Sequence, residues 1–477
     1  MTRQLKDPVH GYIDLDERVV DRVVDTAPFQ RLRRVRQLSA THLVYPGATH
    51  TRFEHSLGVY HLGQRVFENL RTQPYFTDGI GDDELDTVEW TLAFACLLHD
   101  VGHPPLSHLG ERHLDTAALR DRLVEEGLAA AFEQVGVTSV ETGFSAENES
   151  NADRLPIPIR RANPHELLSC VTVLAEYADA IEAFGVDPHE VCAYVLGWSL
   201  RYEAGDHWQH GVAAELLHSP IDVDRLDYII RDDHMTGADV LSVDTERMVA
   251  AYTAHPDAGL ALSEKALSTI GNYLEGRISL YMWVTQHHKS VYANVLVRRL
   301  LDELVAHADT PPITAEAVLD DHLDDHAVLD RFRRAADDPP SEAFADLYER
   351  FRTRRFAESC WKHRLGYADV VAAESEAGVD DYTRWLLAND DDLERHLAAE
   401  LDVPLYEVWI ERSYVPEYEP AELKDIPLAH NGRTQSVGEY GLYGDRAFDR
   451  SIPFVYVPEG HVDRTVDLLN ERYRAQR

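Results

Sequence analysis

Apolar positions in the first three hundred residues recur at helical spacing. Val59, Leu62, Val66 and Leu70 fall on one stripe and predict a helix beginning near Arg52. A second apolar face, Val88, Leu92, Ala95 and Cys96 running into Leu97 and Leu98, predicts a helix from about Asp83 to near Gly102, ahead of Pro104-Pro105. Asp25 and Thr26 can cap, Pro28 suits a first turn, and FQRLRRVRQL follows, so a helix is predicted there too. Helical patterns also cover about 166–184, 222–232 and 264–306. The first fifteen residues, punctuated by Lys6-Asp7-Pro8 and His10-Gly11, read as a small hairpin or extended arm.

Beyond that point the texture changes. Pro311-Pro312 and Asp337 to Pro340 break the chain, and strand-like runs follow at 405–411 (LYEVWIE) and 451–458 (SIPFVYVP). The expectation is a mainly α protein: a helical core over 1–310, with an arm at 1–24, and a smaller C-terminal α+β region over 311–477. The clusters Asp320-Asp321, Asp324-Asp325 and Asp390 to Asp392 read as solvated surface.

Composition narrows the class. At 477 residues the chain has room for about three ordinary domains, or one large core with an appendage. With 44% hydrophobic and 27% charged residues, wholesale disorder is excluded. No apolar run is long enough to span a bilayer, and MTRQLKDPVH has no signal-peptide core, which predicts a cytoplasmic protein with no membrane partner. The four cysteines lie far apart without a CxxC pair, so a disulfide framework or a cysteine zinc site is not expected.

Charge is the outlying number. Asp and Glu total 84 against 46 Lys and Arg, a net −38, and only five of the basic residues are lysine. Such a surface repels phosphate backbones and anionic membranes, which argues against a nucleic-acid partner. Dense carboxylates with scarce lysine also suit work in molar salt, where the Debye length falls to about 3 Å, and adaptation to salt is the reading taken here.

The chemistry-bearing residues are histidines and aspartates in the helical part. His99-Asp100 ends the apolar run TLAFACLL, where unpaired polar side chains are costly to bury. His55 lies in RFEHSLG among apolar neighbours, and Asp224 lies in IDVDRLDY at the start of a helix. Two imidazoles and two carboxylates from three helices suit one divalent ion with open positions for water. His103, His108 and His165-Glu166 add groups that change charge near neutral pH, suited to acid–base work. No P-loop and no dinucleotide fingerprint occurs. The pairs His322/His326, His207/His210 and His287-His288 read as ordinary structural or surface histidines.

The blocks KDPVHGYIDL, DTAPFQRLRRVRQLS, YPGATHTRFEHSLGVYHLG, LLHDVGHPPLSH and IDVDRLDY, in this order, resemble the HD-domain metal-dependent phosphohydrolases. More narrowly they resemble the deoxynucleoside triphosphate triphosphohydrolase branch that includes the mammalian sterile-alpha-motif/HD enzyme. The match covers most of residues 3–300, with the metal site within about 50–235.

The resemblance implies His55, His99, Asp100 and Asp224 as ligands of one divalent metal ion (Mn, Fe, Co, Ni, Zn or Mg). It implies His103, His108 and His165 against the α-phosphate and leaving group, with Glu166 orienting His165. Arg52 and Arg225 would hold phosphate oxygens, Arg225 standing where the mammalian enzyme has lysine. Gln37, Tyr228 and Asp232 would read the deoxyribose. Asp25, Gln30 and Arg33 match positions that bind an activating guanine nucleotide between subunits of a homo-oligomer, although Lys6 departs from that pattern. Thr285 to Lys289 stands where the family often carries Tyr-x-His-Lys, and it lacks the tyrosine.

The expected activity is metal-dependent hydrolysis of dNTPs to deoxynucleoside and tripolyphosphate. The alternatives are another phosphoester, such as a nucleoside monophosphate or cyclic nucleotide, and a non-catalytic nucleotide-sensing or nucleic-acid-binding scaffold.

Overall fold

A computed structural model describes residues 1–139, 155–307, 311–372, 379–412, 426–430, 433–437 and 452–476. The N-terminal hairpin forms as expected: β1 (Thr2–Asp7) pairs antiparallel with β2 (Gly11–Asp16), Asp7 opposite Gly11. Alternation buries Ile13 and Leu15 on one face. Asp7 accepts hydrogen bonds from the backbone N–H of Val9 and His10, and Gly11 takes the left-handed conformation that the turn requires.

Helix α1 (Arg52–Arg71) opens with a capping box in which Thr51 and Glu54 satisfy each other's end of the first turn. Its predicted stripe is wholly buried. Helix α2 (Asp82–Leu98) crosses α1 where Gly63 leaves room, since a Cβ there would stand 2.8 Å from Cys96 Sγ. Helix α3 (Pro164–Thr172) meets the chain just past α2, where Gly102 N–H donates to Ser169 Oγ at 2.9 Å, and α4 (Val223–Thr236) packs on α1. The predicted segment 166–184 continues beyond α3 through a wide turn at Val173–Tyr177.

Two predicted helices are shorter than expected. The segment after Asp25 is helical only over Ala27–Arg31, with one tighter turn at Leu32–Arg34. Its next backbone groups pair elsewhere: Arg52 N–H with Val35 O, Gln37 N–H with His50 O, and Arg36 N–H with the Asp325 carboxylate. Arg31 is fully buried and donates to Val101 O and Leu323 O, so this segment is fixed by tertiary partners rather than by its own turns. The predicted 264–306 helix is broken into α5 (Leu267–Leu280), a wide turn at Tyr281–Thr285, and α6 (His288–His307).

The helical part also holds a hairpin that was not expected, β3 (Tyr252–His255) and β4 (Gly259–Ser263). In the C-terminal part, β5 (Glu358–Ser359) and β6 (Trp409–Arg412) flank β9 (Pro453–Val457), every residue of which is buried. The run 405–411 is thus a tight turn followed by a strand rather than one strand. Strand β7 (Pro427–His430) joins β4 in parallel, Leu262 opposite Leu428, and carries β8 (Arg433–Ser436) on its far edge.

The boundary placed near 310 falls at 308–310, outside the described residues. Packing runs across it, as where Tyr292 of α6 stacks on Trp409 at 4.6 Å. The fold is mainly α with small sheets, as expected. Among the described residues no helix is long and apolar enough to cross a membrane.

Asp324 and Asp325 are not solvated surface. Asp324 pairs with Arg34, and Asp325 accepts from Arg36 N–H at 3.0 Å and Leu106 N–H at 2.7 Å. Asp320 and Asp321 are exposed, as expected.

Candidate functional site

His55 sits one turn into α1 with no exposed surface. Its Nδ1 lies 2.8 Å from Asp227 Oδ2, and a carboxylate only accepts, so Nδ1 carries a hydrogen and Nε2 is the atom left to bind an ion once the ring is neutral. His99 caps the C-terminus of α2, and its Nδ1 donates to Cys96 O at 2.9 Å, leaving Nε2 in the same condition. Both Nε2 atoms are buried without a hydrogen-bond partner among the described residues. His55 Nε2 lies 2.9 Å from Asp224 Oδ1, out of line for a hydrogen bond, and 3.6 Å from Asp100 Oδ2. His99 Nε2 lies 3.5 Å from Asp100 Oδ1 and 3.7 Å from Asp224 Oδ1.

The two imidazole Nε2 atoms and the Asp100 carboxylate therefore lie within 4.8 Å of one another, and Asp224 Oδ1 stands beside both imidazoles. That donor set could hold a divalent metal ion. The electrostatics agree. Burial alone would depress His55, yet Asp224 and Asp227 raise it to about 10. Against burial, which raises it, Arg52 and the histidines His99 and His103 hold Asp100 well below the usual carboxylate range. Such a centre favours positive charge.

A second group adjoins it. His103 Nε2 is 3.3 Å from Asp100 Oδ1, and its ring stacks on His165 at 4.1 Å with 11° between planes. Glu111 Oε1 accepts from His108 Nδ1 at 2.7 Å and from His165 Nδ1 at 2.9 Å. The stacked rings are pushed apart in charge. Burial, Arg52 and His165 hold His103 well below the ordinary imidazole value, while Glu111 raises His165 against its burial. Two stacked imidazoles, one held low and the other raised, make an acid–base arrangement.

Glu166, expected to orient His165, lines the cavity but spends its carboxylate on Asn163 N–H at 2.6 Å in the capping box of α3. Glu111 holds the ring instead. Sequence reading missed it, although His108 and Glu111 stand three apart in one helical turn, where such side chains meet.

The loop before His108 carries two non-glycine residues at positive φ, Leu106 and Ser107. Asp325 holds Leu106 N–H, and Ser107 donates to Arg36 O while accepting from Arg52 Nε at 3.1 Å. Strained backbone kept by such partners is typical of a working site. Arg52 is turned onto Asp100 Oδ2 at 2.7 Å.

Of these groups His99, Asp100, Asp224, His103, His108 and His165 line a cavity of about 730 Å³. Its walls include Gln37, Arg225, Tyr228 and Asp232, all expected to meet substrate. Gln37 Oε1 is buried without a hydrogen-bond partner among the described residues. Arg225 donates to Ser219 O and pairs with Asp222, Tyr228 OH lies 3.3 Å from Tyr281 OH, and Asp232 accepts from His50 Nε2 at 2.7 Å. The wide turn before α6 adds Tyr281, Thr285 and Gln286 to the wall.

Asp25, Gln30 and Arg33 lie outside this cavity. Asp25 pairs with Arg3, Gln30 accepts from Arg33 Nε, and the Arg33 guanidinium covers the Phe53 ring at 3.5 Å. His210 is a structural histidine between Tyr194 OH and Glu84.

Residues 52–161 match the HD domain family model. The chain is 26% identical over 395 residues to the uncharacterized protein YwfO of Bacillus subtilis, covering 79% of this chain and 76% of that one. It is 31% identical over 240 residues to the deoxynucleoside triphosphate triphosphohydrolase SAMHD1 of Xenopus laevis, covering 48% of this chain and 34% of that enzyme. Among solved structures, a phosphohydrolase from Bacteroides thetaiotaomicron superposes with a TM-score of 0.62 at 20% identity, covering 96% of this chain and 99% of that one, which shows the shared fold.

Proposed function

We propose that this chain, which carries an HD domain and is a hydrolase of the phosphohydrolase kind, cleaves deoxynucleoside triphosphates to deoxynucleoside and tripolyphosphate. What carries the reading is the placement of the stacked pair His103 and His165 on one cavity with His99, Asp100 and Asp224, a cavity whose wall also offers Arg225 and Tyr228.

In the reaction, the oxygen of water joins the α-phosphorus, the bond from that phosphorus to the 5′ oxygen breaks, and the 5′ oxygen takes a proton. A divalent ion held by His55, His99, Asp100 and Asp224 would polarise the phosphoryl oxygen and favour hydroxide. His165, whose proton Glu111 favours, donates to the leaving 5′ oxygen, and His103, held low, accepts the proton of the attacking water. Arg52 and Arg225 offset charge on the phosphates, and Arg52 leaves Asp100 to do so. Tyr228 and Gln37 face the sugar, where a ring beneath it excludes a 2′-hydroxyl.

Activation by guanine nucleotide through Asp25, Gln30 and Arg33, in a homo-oligomer, belongs to the same reading and rests on the resemblance. The test is a product assay in molar KCl, to suit the acidic surface, with each dNTP and NTP under Mn, Fe, Co, Ni, Zn or Mg, with and without GTP. Deoxynucleoside plus intact tripolyphosphate, lost in His99→Ala and Asp224→Ala, supports the reading. Intact dNTPs under every metal sink it in favour of another phosphoester. A monomer in sedimentation, fully active without GTP, removes the regulatory part.

A further inference from the structure

The N-terminal hairpin lies far from α4 in sequence, yet its turn reaches the back of the metal-competent centre. His10 Nε2 donates to Asp227 Oδ1 at 2.6 Å, and its side chain is only 5% exposed. Asp7 Oδ2 accepts from Arg231 Nη1 at 2.8 Å, while its other oxygen holds the turn's own N–H groups. Arg231 in turn grips Asp227 with two hydrogen bonds, Nε to Oδ2 at 2.8 Å and Nη2 to Oδ1 at 3.0 Å.

Asp227 thus receives four donors. His55 and Arg231 share Oδ2, and His10 and Arg231 share Oδ1. Asp227 and Arg231 have no exposed surface, so none of these bonds competes with water. Saturation fixes the plane of the carboxylate, and the carboxylate fixes the rotation and tautomer of His55. Partners of this kind, standing behind a metal-binding imidazole, govern how well it binds.

Gly58 supplies independent evidence that the arrangement is built. It lies one turn after His55 in α1, and a Cβ there would overlap Asp227 Oδ1 and Arg231 Nη2. In a helix interior glycine is otherwise unfavourable relative to alanine. Here it opens the slot that the Asp227–Arg231 pair occupies.

We propose that the hairpin is a positioning element of the metal site: His10, with Asp7 beside it, locks Asp227 and thereby aims His55 Nε2 at Asp100 and Asp224. The inference rests on the metal-site part of the reading above, and not on the identity of the substrate. His10 touches neither substrate nor ion, and it acts through two further side chains.

The test compares His10→Gln, whose amide can still donate to Asp227, with His10→Met, of similar length and unable to donate. Mn2+ binding is measured by titration calorimetry without substrate, alongside thermal melting and, at saturating Mn2+, turnover. His10→Met should bind Mn2+ about ten- to a hundredfold more weakly, His10→Gln should recover most of the loss, and saturating Mn2+ should restore turnover. Equal Mn2+ affinity in the two variants, with melting temperature alone reduced, overturns the proposal and leaves the hairpin a structural cover. Should His10→Met not fold, Asp7→Asn takes its place: weaker Mn2+ binding supports the clamp, and unchanged binding overturns it. Wild-type Mn2+ binding that survives His99→Ala also overturns it, because the metal then sits elsewhere. Mn2+ binding with that mutational pattern but intact dNTPs refutes the proposed reaction and sustains this inference.

Discussion

Replacing Glu111 by glutamine tests the acid–base reading most directly. The Glu111 carboxylate accepts from His165 Nδ1 at 2.9 Å and from His108 Nδ1 at 2.7 Å, and it is the largest influence raising His165 against burial. A glutamine oxygen can still accept, so the ring stays in place and the change is chiefly one of charge. A hydrogen bond to a charged group is worth roughly 1.5–3 kcal/mol against about 0.5–1.5 for a neutral one. The difference, about 1–1.5 kcal/mol, corresponds to about a tenfold fall in the ratio of protonated to neutral His165.

The direction in pH follows from His165 acting as the acid. Activity that needs a protonated group is present below its pKa and lost above it. A raised His165 therefore extends activity to higher pH, and Glu111→Gln draws the basic limb of the profile downward. The assay is turnover of a dNTP at saturating Mn2+ from about pH 6 to 9. Turnover should fall about tenfold on the alkaline side and change little at the acidic end. A variant with the wild-type profile, or with a loss equal at every pH, would refute the assignment of His165 as the proton donor set by Glu111.

Three further outcomes are expected. Metal-free His55 is raised to about 10 by Asp224 and Asp227, so Mn2+ uptake near neutrality should expel a proton; affinity should rise about tenfold per pH unit across the neutral range, and calorimetry in buffers of different ionisation heat reads the released proton, a pH-independent affinity counting against the site. Asp325→Ala strips the carboxylate from two N–H groups, Leu106 and Arg36, and should cost roughly 2–5 kcal/mol in urea unfolding, with a loss below about 0.5 kcal/mol arguing that the loop is held otherwise. Gly58→Ala should cost about 1–3 kcal/mol through overpacking and weaken Mn2+ binding, whereas a stabilised variant would show that the slot is not needed.

What could be read directly from the chain was whatever depends on local period and block order. Helical spacing placed α1 and the end of α2, alternation and Gly11 placed the hairpin, and the ordered RFEHSLG, HD and IDVDRLDY blocks singled out His55, His99, Asp100 and Asp224, which the fold brings close together. A side chain at a helix end or on a helix's core stripe is positioned largely by its own neighbours, so these survive the reading. Residues whose role comes from distant partners did not. Glu111 holds His165 from 54 positions away, His10 meets Asp227 across 217, and Asp325 fastens Leu106 across 219. Nothing in the runs around those carboxylates separates them from solvated surface, and Asp325 was read as such.

The same cause explains the misjudged backbone. The segment after Asp25 gives up its helix because its N–H groups find partners at His50 and Asp325 and others find it, as Arg52 does at Val35. Strand β4 takes a parallel neighbour from residues 427–430, which local alternation does not encode. The individual metal-competent side chains are thus a local property of this sequence. The charge state and orientation of the site are properties of the packed whole, because a buried polar group is set by whichever partner the fold brings within about 3 Å.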